Sequence, residues 1–151
     1  MCSHMASLWH QIKGILDGQQ SHCLRVNQTH ILIATGPSSR RSLLLSTMNS
    51  HGLEPSDIDI VILTHLHWDH CQNTDLFTNS KILVHPRELD YAKSPKSGDW
   101  ATVPLINEIL SKMDVNPVSD GDEVTDGVKI VDTSNIHQDI CQFMLKAIRE
   151  T

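Results

Sequence analysis

The stretch Ile58-Asp59-Ile60-Val61-Ile62-Leu63-Thr64-His65-Leu66-His67-Trp68-Asp69-His70 decides how this chain folds and what it can do. Its first half is a β-branched apolar run without alternation, which predicts a strand buried on both faces and ending at Thr64. Its second half puts four metal-competent side chains into six residues. In extended chain, side chains two apart point the same way about 6–7 Å from each other, so His65 and His67 can present imidazoles to one ion. Where the chain then turns into a helix, Asp69 and His70 leave its first turn and offer a carboxylate and a third imidazole to a second ion. Nitrogen and oxygen donors suit a borderline divalent ion, and such an ion lowers the pKa of its water from 15.7 to about 7. The chemistry this serves is hydrolysis, with Asp69 as a ligand and as the group that orients the attacking hydroxide. A chance gathering of surface histidines, or a helix cap, is the plainer reading; the density of donors directly after a buried strand argues against it.

Upstream, Cys23–Val26 and His30–Ala34 read as two strands joined by the turn-prone Asn27-Gln28, a hairpin that ends in Thr35-Gly36-Pro37-Ser38-Ser39. Ser38 or Ser39 is expected to N-cap a helix from Arg40 to about Ser50, with Leu43, Leu44 and Met48 on one face and Gly52 beyond its end. Downstream, the pattern predicts a strand at Ile82–Val84, a helical turn at Arg87–Ala92, a helix over Val103–Met113 and a hairpin of Glu123–Thr125 with Val128–Val131. Apolar positions 140, 143, 144, 147 and 148 predict a C-terminal helix over Ile140–Arg149. Leu8–Leu16 fits either a short amphipathic helix or a half-buried strand. Strands alternating with helices imply an α/β fold.

The 151 residues carry 12 Lys+Arg against 18 Asp+Glu, a formal charge of −6, which gives no electrostatic footprint for duplex nucleic acid or an anionic membrane. A 39% hydrophobic content excludes a disordered tail, and the longest apolar runs fall far short of the roughly 20 residues of a membrane span. Cys2, Cys23, Cys71 and Cys141 form no CxxC pair, so neither a thiolate zinc knuckle nor a disulfide scaffold is indicated, and a reducing, cytoplasmic setting is expected. Residues 1–7 resemble a vector-derived or disordered leader and are set apart from a single domain over 8–151, in which 134–151 form the atypical C-terminal helix.

The run His65, His67, Asp69, His70 resembles the His-x-His-x-Asp-His signature of the metallo-β-lactamase superfamily, and it matches in full. The flanks agree: residues 57–64 resemble the strand leading into that motif, 31–36 the earlier strand and turn, and 128–133 the strand before the next ligand. The resemblance covers roughly residues 24–133, and His-Leu-His-Trp-Asp-His-Cys followed by Asn73 is most similar to the lactonase-type hydrolases. It implies an αββα sandwich, of which this chain encodes part, with one or two zinc ions at its edge and iron or manganese as alternatives. It also implies metal-hydroxide attack on a small-molecule lactone, ester, thioester or amide.

Departures from the family pattern bear on activity. The usual Pro-Gly-His turn after the third quoted strand is replaced by Ser134-Asn135-Ile136-His137, so His137 is either a metal ligand shifted by one residue or a helix-cap or surface histidine. Ala34 stands where the family commonly has Asp, and Gln72 where a Gly follows the motif; losing an outer carboxylate typically costs 10- to 100-fold in affinity or activity. No residues correspond to the family's later bridging Asp and final His. Two readings follow. One is a metal-dependent hydrolase completed by homodimerisation or a complementary chain; the other is a truncated or engineered metal-binding fragment without turnover. His85 is expected to pack beside the site, Cys71 to be a buried small residue, and Trp68 and Trp100 either to line a pocket or simply to pack.

Overall fold

The computed structural model describes residues 21–103 and 105–132, and the backbone of 143–147. Five strands form one sheet in the order β1 (His22–Val26), β2 (Thr29–Ile33), β3 (Ile60–Leu63), β4 (Lys81–Val84), β5 (Asp114–Pro117). β1 and β2 are the expected hairpin, antiparallel with His22 opposite Ile33, and Asn27 takes the left-handed conformation (φ 56°) that its two-residue turn requires. The strands β2 to β5 run parallel, Ile62 pairing with Ile33 on one side and Leu83 on the other.

All four residues of β3 are buried, and the pleat explains why they read as an unbroken apolar run. Val61 and Leu63 face helices, sharing a core with Leu32, Ile82, Val84, Met48, Phe77, Ala92, Ile106 and Leu110. Ile60 and Ile62 face the other way and pack with Ile31, Leu83 and Ile130. Ile130 belongs to a second sheet of β6 (Glu123–Thr125), β7 (Val128–Asp132) and β8 (Phe143–Ala147), antiparallel throughout. Two sheets with helices α1 (Arg41–Ser50), α3 (Pro86–Lys93) and α4 (Ile106–Leu110) give the mixed α/β arrangement that the alternation implied.

Three expectations are corrected. The C-terminal segment is not helical over 143–147: these residues pair with the full length of β7, Val128 to Ala147 and Asp132 to Phe143. The segment also alternates at Phe143, Leu145 and Ala147, and a complete ladder outweighs a weak helical spacing. Neither Ser38 nor Ser39 caps α1; Ser38–Arg40 form a 3-10 turn first, in which the Ser38 amide and hydroxyl both donate to Gln72 Oε1 at 2.9 Å. The helix expected over Val103–Met113 is confined to Ile106–Leu110, because Val103 is held by a backbone hydrogen bond to Leu66 and Asp114 enters β5. The segments 1–20 and 133–142, with Leu8–Leu16 and His137, lie outside the described residues.

Candidate metal centre

In open α/β sheets, ligands bind beyond the carboxyl ends of parallel strands, and here the ends of β2, β3 and β4 converge on one run. After Leu63, Leu66 turns into the helix-side core and is 1% exposed, which sends His65 and His67 to the opposite side. His67 keeps an extended backbone and is the N-cap of α2 (Trp68–Cys71), so the expected turn into a helix is present and carries Asp69 and His70 in its first turn.

The donor atoms of His65, Asp69 and His70 lie within 4.8 Å of one another. The His65 ring centroid is 4.0 Å from that of His70 and 4.7 Å from that of His67, edge to face with the latter. Asp69 Oδ2 is 3.4 Å from His70 Nε2. His65 therefore sits between the other donors, nearer to Asp69 and His70 than a division into a His65/His67 pair and an Asp69/His70 pair suggests. Burial, followed by the nearby His70 and His67, pushes the His65 pKa down to about 3. His70 is lowered by burial as well, against the opposing pull of Asp69. Neutral imidazole is the form that ligates a metal. Thr64 Oγ1 lies 3.0 Å from His65 Nδ1 and can accept its proton, the tautomer in which Nε2 keeps the lone pair for an ion. Two imidazoles and a carboxylate in this space, with the His67 ring beside them, fit a divalent transition ion.

The run is clamped from two sides. On one, the Leu66 amide donates to the buried Glu88 carboxylate at 3.0 Å, the Trp68 amide to Ala101 O at 2.8 Å, and His67 forms an antiparallel bridge with Thr102. On the other, the Thr35 amide donates to His70 O at 2.7 Å, and Asn73 Nδ2 reaches Thr35 O, Gly36 O and Pro37 O at 2.9, 3.3 and 2.9 Å. The Cys71 thiol donates to His67 O at 3.1 Å, and burial pushes its pKa up to about 12, in keeping with the buried role expected of it. His85 is buried, and its Nδ1 accepts from the Arg87 amide as the N-cap of α3. Ala34 is 2% exposed with φ 57°, a left-handed backbone, and its methyl brings no polar group to the site. Sequence reasoning passed over Glu88, whose signal was an acid on the apolar face of α3, and Asp99, whose carboxylate ties Tyr91, Ala101 and Thr102 together.

Comparison with known proteins follows the same lines. A probable metallo-hydrolase of Methanocaldococcus jannaschii is 33% identical over 61 residues, 40% of this chain and 30% of that protein. The N-acyl homoserine lactonase AttM of Azorhizobium caulinodans is 39% identical over 49 residues, 32% of this chain and 18% of the lactonase. The crystal structure of a point mutant of AiiA from B. thuringiensis, with N-decanoyl-L-homoserine bound at its active site, superposes with a TM-score of 0.69 at 22% identity, covering 84% of this chain and 57% of AiiA. The matched stretches thus span less than a third of the curated relatives' lengths. Residues 16–140 match the family model of the metallo-beta-lactamase superfamily, to which this chain belongs.

Proposed function

We propose that the protein is a metal-dependent hydrolase of lactones, esters or thioesters, with His65, His67, Asp69 and His70 holding one or two divalent ions, zinc first and iron or manganese as alternatives. The observation that carries this reading is the cluster of His65, Asp69 and His70 donors within 4.8 Å, with His67 against it, at the end of the central strand. The similarity to AttM supports the choice of a lactone or ester. A bound ion supplies Lewis acidity and lowers the pKa of water toward neutrality. The chain's own contribution is positional. Asp69 Oδ2, steadied by His70 Nε2, accepts the proton of the attacking water and returns it to the leaving alkoxide or thiolate. The flanking clamps through Glu88 and Asn73 hold the imidazoles in place as the proton moves.

Two ions need more donors than these four, and His137, a second copy of the chain or a complementary chain are the sources this reading considers. Ala34, which brings no carboxylate to the site, favours a second reading: a protein that binds the ion without turnover. The test is elemental analysis of purified protein with His65→Ala, Asp69→Ala and His137→Ala, run beside hydrolysis of lactones and esters and sedimentation of the metal-loaded chain. The hydrolase reading expects metal lost in the first two variants and turnover lost in Asp69→Ala with the fold intact. Metal binding with no Asp69-dependent turnover establishes the second reading, and no bound metal refutes both.

A further inference from the structure

On the helix side of the first sheet, α1 leaves a pocket against the β1–β2 hairpin. Cys23 and Leu32 from the hairpin and Leu43, Leu44 and Met48 from α1 wall a free space of about 500 Å³, its open mouth included. Leu43 is 39% exposed there, one of only three large apolar side chains left so far in water among the described residues. Thr35, Gly36 and Asn73 line the same pocket, and they are the residues that hold α2 and, with it, Asp69 and His70. Water in the pocket competes for those hydrogen bonds, so whatever fills it protects the clamp.

The chain itself arrives at this pocket. Ser21, the first described residue, lines it too, and its Oγ lies 3.4 Å from where a Cβ on Gly36 would stand. Just ahead of Ser21, the stretch 8–16 carries Leu8, Trp9, Ile12, Ile15 and Leu16, five apolar side chains in nine positions. Whether read as an amphipathic helix or as a half-buried strand, such a pattern has one apolar face that needs cover. Leu16 precedes Ser21 by five residues, a reach of at most about 17 Å. A segment tethered that closely meets the pocket at an effective concentration of roughly millimolar, which a second copy at micromolar concentration does not match.

We propose that the apolar face of residues 8–16 docks in this pocket, so that the chain's own N-terminal segment seals α1 against the hairpin and shields the clamp that holds the metal-binding helix. The contact uses no candidate metal ligand and stands apart from the hydrolase reading.

Lys13 lies inside the segment, which makes trypsin the probe. On the full chain, mass spectrometry follows cleavage after Lys13 and compares its rate with that of the same bond in a synthetic peptide of this segment. Docking slows the cleavage at least about tenfold in the chain; Leu43→Asp in the pocket or Ile12→Asp in the segment brings it back to within about twofold of the peptide, with the far-UV circular dichroism unchanged. Ile12→Asp keeps the test decisive if Leu43→Asp unfolds, since it alters nothing in the described core. Leu105→Asp, at an exposed apolar residue outside the pocket, leaves the protection as it is. Cleavage of the parent chain at the peptide's rate, protection that survives both aspartates, or an equal loss in Leu105→Asp overturns the proposal. Protection that disappears on about tenfold dilution assigns the pocket to a second copy and overturns it as well.

Discussion

Replacing Asn73 tests whether α2 is held by one side chain. Asn73 is fully buried; its Nδ2 has two hydrogens and faces three carbonyls, Thr35 O, Gly36 O and Pro37 O, while its own amide donates to Thr35 Oγ1 at 3.2 Å. Two of those carbonyls have a second donor, Gln72 N for Gly36 and Arg40 N for Pro37, so truncation does not strip them bare. Asn73 Oδ1 has no hydrogen-bond partner among the described residues, and removing it costs nothing in bonding. Two hydrogen bonds at about 1 kcal/mol each, with the void of a short side chain, make Asn73→Ala about 2–3 kcal/mol destabilising. For a chain of this length that is a fall in Tm of roughly 5–10 °C. Asn73→Asp is nearly isosteric but sets a carboxylate against three carbonyl oxygens, and it costs more than the alanine variant unless the group takes up a proton. Urea unfolding of the apo protein reads this as a lower midpoint at unchanged m. Metal affinity weakens alongside, because α2 carries Asp69 and His70. If Asn73→Asp matches the parent protein in stability, the amide is not the donor that ties these elements, and the reasoning fails.

Glu88→Ala leaves the Leu66 amide without its acceptor between His65 and His67, and zinc affinity measured by competition with a chelator falls about tenfold or more; Glu88→Gln, which keeps an acceptor oxygen, recovers much of it. Asp99 is held below the usual carboxylate range first by the Thr102 hydroxyl, whose effect burial opposes, and further by Tyr91 and the amides of Ala101 and Thr102. A depressed folded-state pKa stabilises above the unfolded value near 4 and that stability is lost as pH falls below it, so Tm declines less steeply from about pH 5 to pH 3 in Asp99→Asn than in the parent chain. Burial pushes the Cys23 thiol up to about 11, and at about pH 8 the native chain leaves Cys23 unlabelled by iodoacetamide in peptide mapping, while urea exposes it to labelling. Labelling of native Cys23 at the unfolded rate contradicts its placement in the core.

The centre of the molecule is legible from its residues alone. A run such as Ile60-Val61-Ile62-Leu63 has no polar face to give to water, so it must be a strand covered on both sides, and the His65 to His70 spacing follows from the change of period where strand gives way to helix. The hairpin around Asn27, the helix at Arg41–Ser50 and the strand at Lys81–Val84 were legible for the same local reasons. Elsewhere the outcome hung on distant partners. Phe143–Ala147 became a strand because β7 offered a full ladder, a partner that no local pattern names. Asp114–Pro117 carries almost no strand signal, yet it pairs with β4 because that edge was open to it. Ser38 turned from an expected cap into a donor to Gln72, a residue 34 positions away. His65 lies nearer to Asp69 and His70 than spacing along the chain suggests, because α2 folds back over the end of β3. The roles of Glu88, Asn73 and Asp99 emerge only in three dimensions: each acts by accepting from or donating to backbone that the fold brings alongside. Periodicity fixes what a segment must bury, and which distant segment provides the cover is settled only when the whole chain competes for it.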